Sequence, residues 1–422
     1  MKYFITFIDR SEQILMIDTR ILEVLERKIP PIPEQGDSGF WSKIRNQFPM
    51  PQDESYCNTG TIGASPLSVL HAVVNYMTKS MVEVAHVDWK GGGMSLLSGY
   101  SSYKDLRAKI GKLINADYSL IALTQNATMG MNTLSNGLDL KKDESILITD
   151  IEHPGGRCGW ELLSKRHGNR LDKTEIKFPV TNPQEIVDAF AEAIKPDTRV
   201  MSFPHISSEQ GMILPVKELC KLAREHGIIS IIDGAQATGH IKVDMKKIGC
   251  DAYYASPHKW LMAPAGNGIL YIKEELINDV WTTLASSQWN NHKDNGYRLG
   301  QRGTGNPALI VGLEAAIDFH YMIGPEQVYS RIKKLGDHLR DGLGSIDNVE
   351  FVTPIHPDMN AGLTTFKVKD VEGRTVQDTL WKDGRLQLRA LRGEKGVRYS
   401  THIYNSFEEN ERAIEIINKF TS

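Results

Sequence analysis

Short apolar runs alternate with longer amphipathic stretches between about residues 68 and 310. The runs SLIALT, SILITD, EIKFPV, RVMSFPHIS, ISIIDG and DAYYAS have the length and β-branched composition of buried strands. Stretches such as NPQEIVDAFAEAIK and VKELCKLAREHG repeat apolar residues with the period of a helix and separate several of these runs. Because strands that alternate with helices are joined by right-handed crossovers, the pattern predicts an α/β fold with a mostly parallel sheet covered on both faces.

The pattern changes after about residue 310. Two helical segments precede the strand-like segments VEFVTP and GLTTFKVK, and the amphipathic segment FEENERAIEIINKF follows near the end. Near the start, the Pro- and Gly-rich segment RKIPPIPEQGDSG follows a helical stretch. We therefore predict an N-terminal helical arm and linker over residues 1–57, a large domain over 58–310, and a smaller α+β domain over 311–422 on which the arm packs.

Composition and charge narrow the classes of function. With 422 residues the chain is long enough for a large and a smaller domain. A net charge of −3 gives no support for nucleic-acid binding, which usually needs a basic stripe. The four cysteines lack C-x-x-C or zinc-ligand spacing, so we expect no metal site. The apolar stretch in MKYFITFIDR is too short for a signal peptide or a membrane span, so we expect a cytoplasmic protein without membrane attachment.

Polar residues follow several predicted strands at the point where each strand ends. Asp233 directly follows the run ISII, and Lys259 follows the next run, DAYYA, after Ser-Pro-His. His153 and His205 come at the ends of two other runs. Because ligands of open α/β sheets bind beyond the carboxyl ends of the strands, we expect these side chains to share one site.

Six motifs in this order resemble the class V aminotransferase family of pyridoxal-phosphate enzymes. The motifs are NAT at 126–128, EH at 152–153, DGAQ at 233–236, SPHKW at 256–260, RGTGN at 302–306 and RYSTHIYN at 398–405. The resemblance covers nearly the whole chain. It implies the fold type I of pyridoxal-phosphate transferases, with a seven-stranded, mostly parallel sheet in the large domain and a smaller C-terminal α+β domain.

The resemblance also implies pyridoxal 5'-phosphate as cofactor and a role for each matched residue. Lys259 would form a Schiff base with the cofactor aldehyde and later carry a proton. Asp233 would keep the pyridine nitrogen protonated, and His153 would stack on the ring during catalysis. The other cofactor-binding residues that we predict are Asn126, Ala127 and Thr128 at a helix N-terminus, His205 under the cofactor, Gln236 at its phenolic oxygen, Ser256 and His258 as hydrogen-bond partners, and Gly303 and Thr304.

Substrate recognition would depend on an arginine, because a guanidinium grips a carboxylate with two parallel hydrogen bonds. Arg398 matches the family's substrate arginine, and Arg385, Arg389 and Arg392 are alternatives for the same task. Asn58 lies in the segment YCNTGTIGASP, which resembles the family's N-terminal substrate loop. We therefore predict that Asn58 and Arg398 bind a small-molecule amino-acid substrate.

The resemblance further implies a homodimer. In this family the residues that match Gly303 and Thr304 reach the phosphate from the partner subunit. The site would then lie at the interface between two copies of the chain, with Thr304 in the partner's site.

Each of these residues also has a purely structural interpretation. Asp233 could cap a helix or occupy a turn, and Thr128 could be only an N-cap. His153 and His205 could be structural histidines at strand ends. For Lys259, the flanking Ser-Pro-His and the glycine-rich turn argue against a plain surface lysine.

The segments FWSKIRNQFPMP, EHPGGRCGW and SPHKWLMAPAGNGILYI most resemble isopenicillin-N-epimerase-like proteins. This implies epimerase or aminotransferase chemistry at the α-carbon of an amino acid or a derived substrate. Desulfurases of the family need a mobile cysteine upstream of the substrate arginine, and GRLQLRALRGEKGVRYS contains none. A carbon–sulfur β-lyase without a catalytic cysteine therefore remains one alternative, and a non-catalytic cofactor-binding scaffold is another.

Overall fold

The structure is a computed structural model that describes residues 7–8, 14–15, 19–86, 100–393 and 396–421. The rest of the predicted N-terminal arm before residue 19 lies outside the described residues. Within the arm, strands β1 (Phe7–Ile8) and β2 (Ile14–Leu15) pair antiparallel, and helices α1 (Thr19–Glu26) and α2 (Phe40–Arg45) follow. None of the helices in these ranges has the length and apolar character of a membrane span.

Seven strands form the central sheet, in the spatial order β4-β10-β9-β8-β7-β5-β6. They are β4 (Ile121–Thr124), β5 (Ser145–Thr149), β6 (Leu171–Thr174), β7 (Thr198–Pro204), β8 (Ile229–Asp233), β9 (Ala252–Ala255) and β10 (Gly268–Ile272). Strand β10 runs antiparallel to both neighbours, and the other pairs are parallel. The predicted α/β fold with a seven-stranded, mostly parallel sheet is confirmed.

Helices cover both faces of this sheet. They are α3 (Leu67–Val82), α4 (Lys104–Ile114), α5 (Ala127–Gly137), α6 (Pro154–His167), α7 (Pro183–Ala193), α8 (Val216–Glu225), α9 (Met245–Ile248), α10 (Glu274–Ile277), α11 (Asn295–Gly300) and α12 (Pro307–Ile323). Alternate strand residues enter two different apolar cores: Tyr253 belongs to one and Tyr254 to the other. Because successive side chains of a strand point to opposite faces, the sheet separates two cores and is buried on both sides.

The segment EIKFPV was wrongly predicted as a strand. The strand of this region is β6, which lies just before it and forms the edge of the sheet. Ile176 and Val180 instead enter the apolar core beside Ile186 and Phe190 of α7. An edge strand pairs with a neighbour on only one side, so the polar sequence LDKT can form it. In EIKFPV, Pro179 has no N–H group to donate to a strand ladder.

A four-stranded antiparallel sheet forms the C-terminal part, in the order β11-β12-β15-β14. Its strands are β11 (Val349–Phe351), β12 (Leu363–Val368), β14 (Arg389–Ala390) and β15 (Val397–Ser400), and the helices beside it are α13 (Pro325–Leu343), α14 (Gly373–Gly384) and α15 (Phe407–Thr421). Strand β3 (Ser55–Tyr56) pairs in parallel with β13 (Leu386–Gln387). This pairing attaches the segment before Asn58 to the C-terminal part of the fold.

Helix α12 contains the predicted domain boundary at residue 311. Leu313 and Ile317 of this helix lie in a core of the large sheet, whereas Phe319 and Ile323 pack with Leu363 of the small sheet. The helix therefore connects the two parts, and the division at 310/311 stays a prediction.

Candidate active site

The carboxyl ends of β7, β8 and β9 meet at one edge of the large sheet. Asp233 is the last residue of β8 and pairs with Pro204 of β7 and Tyr254 of β9. Its carbonyl oxygen accepts a hydrogen bond from His205 N at 2.8 Å. The sheet order therefore places Asp233 beside the turn that carries Lys259, where ligands of such sheets bind.

Lys259 lies in the turn between β9 and β10, and the residue is half-buried. Burial is the main cause that lowers its pKa, to about 8; Asp233 opposes this shift, and the charges of Arg398 and Arg389 add to it. Near neutral pH, a much larger fraction of Lys259 is therefore in the neutral, nucleophilic amine form than in an ordinary lysine.

A loop from the N-terminal side covers this turn. Gly63 N donates to His258 O at 2.7 Å, and a side chain on Gly63 would collide with the carbonyl oxygen of Lys259. Glycine at this position is therefore what allows the loop of residues 58–63, which begins with Asn58, to lie against the turn.

Asp233 is 7% exposed, and burial raises its pKa. Two features oppose the shift: Oδ1 accepts a hydrogen bond from Ala235 N at 2.9 Å, and Lys259 supplies a positive charge. A buried carboxylate held in this way is suited to stabilise a further positive charge in front of it.

Glu152 and Tyr254 complete the surroundings of Asp233. A Cβ on Gly156 would lie 2.9 Å from Asp233 Oδ2, 3.3 Å from the Tyr254 hydroxyl and 3.4 Å from Glu152 Oε2, so the three oxygens surround one point. Glu152 Oε1 accepts from Thr149 Oγ1 at 2.8 Å, whereas Oε2 is buried without a hydrogen-bond partner among the described residues. Burial raises the pKa of Glu152 to about 8, and the charge of Asp233 adds to the shift.

His153 caps the N-terminus of α6. Its Nδ1 accepts a hydrogen bond from Gly155 N at 3.0 Å. Burial, Lys259, Arg389 and Arg398 lower its pKa to about 4, so the ring is neutral near pH 7. A Cβ on Gly155 would lie 2.8 Å from Thr128 Oγ1 and 3.1 Å from His153 Nδ1, so a glycine is needed here for the two helix starts to pack closely.

The N-terminus of α5 lies next to the lysine turn. Asn126 caps the helix, with Oδ1 accepting from Met129 N at 2.9 Å. Ala127 N donates to Ser256 Oγ at 3.0 Å, which connects this helix to the turn, and Thr128 is exposed beside it. A helix N-terminus with a neighbouring hydroxyl is a natural site for a phosphate.

Gln236 is 2% exposed, and its amide is already engaged. Nε2 donates to Gly60 O at 2.8 Å and to Ser208 Oγ at 3.3 Å, and Oε1 accepts from Trp260 Nε1 at 2.7 Å. The predicted bond to a phenolic oxygen would require one of these partners to move, and it stays a prediction.

Two histidines of the site are neutral near pH 7. His205 Nδ1 lies 3.1 Å from the Tyr253 hydroxyl, and burial lowers the pKa of His205 to about 4. Burial and the charge of Lys259 lower the pKa of His258 to about 4 as well. His258 Nδ1 is buried and has no hydrogen-bond partner among the described residues, so it is available to a ligand of the cleft.

Arg398 is fully buried beneath the N-terminal loop. Nη1 donates to Ser208 O at 2.9 Å, and Nη2 donates to Thr61 Oγ1 at 2.7 Å and to Asn58 Oδ1 at 3.2 Å. Its Nε has no hydrogen-bond partner among the described residues. A substrate carboxylate would therefore replace the side chains of Asn58 and Thr61 at this guanidinium.

Gly303 and Thr304 are not connected to the lysine turn by any recorded contact of the described residues. Thr304 is exposed, and Gly303 has a φ of 84°. The preceding Arg302 donates to Leu123 O of β4 at 3.2 Å. The role of Gly303 and Thr304 in a partner's site stays a prediction.

Sequence reasoning missed Glu152, Tyr254 and Trp260 as members of the site and placed Arg389 only among the alternatives to Arg398. Glu152 could have been found, because it directly precedes His153. The sequence indicates core positions for Tyr254, which lies within an apolar strand, and for Trp260, which lies within an apolar turn. No group of three or more His, Cys, Asp or Glu within the described residues is arranged to hold a metal ion.

The donor set suits an aldehyde that also carries a phosphate and a basic ring nitrogen. Lys259 supplies an amine with a lowered pKa, Asp233 supplies a buried carboxylate, and the start of α5 supplies an anion site. Gly155 and Gly156 let the start of α6 pack directly against Thr128, His153 and Asp233, which brings these three side chains close to one another. The residues present therefore fit pyridoxal phosphate.

Comparisons with known proteins show which family the chain belongs to. The model of the family Aminotransferase class-V matches residues 59–412. An isopenicillin N epimerase of Streptomyces clavuligerus is 27% identical over 398 residues, covering 90% of this chain and 98% of the relative. A probable cysteine desulfurase of Pyrococcus abyssi is 28% identical over 397 residues, covering 89% and 96%.

Solved structures share the fold. A variant of C-DES with glycine covalently linked to its PLP cofactor superposes with a TM-score of 0.80 at 24% identity and covers 89% of this chain and 98% of its own. The chain therefore belongs to the aminotransferase class-V family of pyridoxal-phosphate enzymes, as its six motifs predicted.

Proposed function

We propose that the protein is a pyridoxal-phosphate enzyme that acts at the α-carbon of an amino acid or of a substrate derived from one. The proposal depends mainly on one observation: Lys259 and Asp233 lie close together, beyond the ends of neighbouring strands. Asp233 opposes the lowering of the lysine pKa, and the lysine charge opposes the raising of the Asp233 pKa. A reactive amine and a buried carboxylate are thus held in one site, as chemistry on a cofactor aldehyde requires.

The chain's own residues would hold the cofactor at defined places. Lys259 would bond the aldehyde carbon, Asp233 would accept a hydrogen bond from the protonated ring nitrogen, and the neutral ring of His153 would cover one face. The start of α5, with Thr128 and Ser256, would bind the phosphate. When bound, the cofactor supplies an electron-withdrawing ring that stabilises negative charge at the substrate's α-carbon.

Lys259 would also move the reacting proton. With a pKa of about 8, its amine can accept a proton from the α-carbon and return it near neutral pH. Arg398 would fix the substrate by its carboxylate, so that the Cα–H bond is held toward Lys259. The loop from Asn58 to Gly63 would exclude water from both groups, since it contacts both of them.

Epimerase or aminotransferase chemistry is the reaction that we favour, because an isopenicillin N epimerase matches this chain over nearly the full length of both. A desulfurase that uses a cysteine persulfide is disfavoured. Cys57, next to Asn58 in the chain, is fully buried, and burial raises its thiol pKa well above the ordinary value. A carbon–sulfur β-lyase without a catalytic cysteine stays as the second candidate, because solved structures of a cystine C–S lyase share the fold.

A homodimer is part of the proposal. The exposure of Thr304 leaves it free to approach a second copy of the chain. The cytoplasmic location expected from the sequence also belongs to this proposal.

The test is covalent trapping. Purified protein is loaded with pyridoxal phosphate and reduced with borohydride, and its peptides are analysed by mass spectrometry. We expect the added mass on Lys259 and its loss in Lys259→Ala, whereas Lys242→Ala at an exposed ion pair with Glu326 keeps it. A tag on another peptide, or none in a saturated sample, refutes the assignment.

An amino-acid panel then separates the reactions. Exchange of the α-proton with solvent deuterium and loss of optical activity indicate an epimerase. Formation of a keto acid indicates an aminotransferase, and release of sulfide or pyruvate indicates a lyase. Loaded protein that processes none of the panel supports the scaffold alternative.

A further inference from the structure

Two arginines stand directly opposite each other at the mouth of the candidate site. Arg389 of β14 and Arg398 of β15 are cross-strand partners in the small sheet. Side chains of such partners lie on the same face, and like charges placed opposite each other destabilise a sheet. The two opposed arginines therefore destabilise the fold, and a functional role would explain why the protein has them.

Both guanidinium groups reach the same oxygen. Arg398 Nη2 donates to Thr61 Oγ1 at 2.7 Å, and Arg389 Nη1 donates to it at 3.4 Å. Two positive charges thus converge on one neutral hydroxyl.

Arg389 is exposed, but its positive charge still affects the pKa values of other groups in the site. It lowers the pKa of Arg398, of Lys259 and of His153. Burial is the main cause that lowers the pKa of Arg398, to about 9; the charge of Arg389 adds to this fall, and the charge of Glu209 opposes it. Arg389 and Arg398 therefore place two positive charges close to Lys259 and His153.

We propose that Arg389 binds a second carboxylate of the substrate, while Arg398 binds the α-carboxylate. The substrate class is then an amino acid or derivative that carries a further carboxylate on its side chain. This inference rests on the proposed function, because it takes Arg398 as the α-carboxylate site.

The positions of the two guanidiniums support this division. A planar guanidinium binds one carboxylate with two parallel hydrogen bonds, and the buried Arg398 provides such a guanidinium. Arg389 lies on the edge strand and is exposed, and its guanidinium reaches the Thr61 hydroxyl beside Arg398, so it is placed to bind a second carboxylate of a substrate that Arg398 holds.

The test compares two acids of equal chain length, glutarate with two carboxylates and valerate with one. Their binding to the loaded enzyme is measured by titration calorimetry at constant salt. We expect glutarate to bind more tightly, and Arg389→Gln to weaken glutarate about tenfold or more while valerate changes less than about twofold. Arg385→Gln is the control, because it removes the same charge where the guanidinium lies 5.3 Å from the Trp381 ring.

Two results would overturn the proposal. Equal weakening of both acids by Arg389→Gln would mean that the two arginines share one carboxylate, and unchanged glutarate binding would mean that Arg389 binds none. If Arg389→Gln does not fold, Arg389→Lys keeps the charge without the fork, and the same comparison with glutarate decides. Cofactor loading is checked first by absorbance: unloaded protein refutes the proposed function, whereas loaded protein without a preference for glutarate refutes only this inference.

Discussion

The carboxyl groups of Glu152 and Asp233 both pack against Gly156, which lacks the side chain that would collide with them. Glu152 Oε2 and Asp233 Oδ2 lie 3.4 and 2.9 Å from the point where a Cβ on Gly156 would stand. Both groups are buried, and both pKa values are raised. Burial raises the pKa of Glu152 to about 8, so Glu152 holds a proton at pH 7, whereas the charge of Lys259 favours the charged form of Asp233.

Glu152→Gln should change how stability depends on pH in the cofactor-free protein. The pKa of Glu152 is about 8 in the fold against an ordinary 4.5, so the folded state binds the extra proton between these values. The stabilisation is therefore present below about pH 4.5 and is lost as the pH rises toward 8, with a slope of at most about 1.4 kcal/mol per pH unit. The measurement is the free energy of unfolding in urea across this range.

Glutamine cannot ionise, so this part of the slope should disappear in the variant. The neighbouring titrating groups are Asp150, Asp233 and Tyr254, and they are present in both proteins. Glu161→Gln on the exposed side of α6 is the control and should leave the slope as in the wild type. An unchanged slope in Glu152→Gln would show that Glu152 is ionised in the folded protein.

Asp233→Asn should reduce turnover by about a thousandfold or more, because the amide cannot hold the ring nitrogen protonated, and each 1.4 kcal/mol of lost transition-state stabilisation is about tenfold in rate. Turnover is measured at full cofactor occupancy, which absorbance reports. Asp318→Asn, at an exposed ion pair with Lys109, should keep wild-type turnover. Turnover within about tenfold of the wild type in Asp233→Asn would remove Asp233 from the mechanism.

Trp260→Phe should destabilise the fold by about 1–3 kcal/mol. The Trp260 indole stacks on His240 with ring centroids 3.5 Å apart, and phenylalanine keeps a ring there. The loss comes from Gln236 Oε1, which would be buried without the indole N–H that it now accepts from. Chemical denaturation measures the difference.

Trp281→Phe is the matched control for this change. Its indole also donates to a side-chain oxygen, Asp139 Oδ2 at 2.8 Å, but Trp281 is 57% exposed. Water can replace that bond, so we expect a change within about 0.5 kcal/mol. Equal effects of the two substitutions would argue against an unsatisfied Gln236.

Arg398→Lys should raise KM for the amino-acid substrate about 10- to 100-fold with a smaller effect on kcat. A lysine keeps the charge but cannot form two parallel hydrogen bonds with a carboxylate. A change mainly in KM reports lost binding shared by ground state and transition state. Arg385→Lys should leave KM unchanged, and an unchanged KM in Arg398→Lys would assign the carboxylate to another group.

Local patterns in the sequence were enough for the α/β class, for most strands and for the residues that follow them. Asp233 and Lys259 could be placed at neighbouring strand ends because one apolar run directly precedes Asp233 and the next ends shortly before Lys259, at Ser-Pro-His. The same rule predicted a strand at EIKFPV, where there is none. The apolar residues of this segment instead pack in a core with residues of α7, next to the polar edge strand β6. Apolar periodicity reports burial, and burial alone does not distinguish a strand from a packed loop.

Only the tertiary structure decided which groups meet. Arg398 bonds Asn58 across 340 residues of chain, and Gln236 bonds Gly60 across 176. The proximity of Glu152 to Asp233 depends on the order of the sheet strands, and that of Arg389 to Arg398 on their register in the small sheet. Sequence determines local conformation and burial through short-range sterics and hydrophobicity, whereas distances, shared protons and paired charges follow from how distant elements pack.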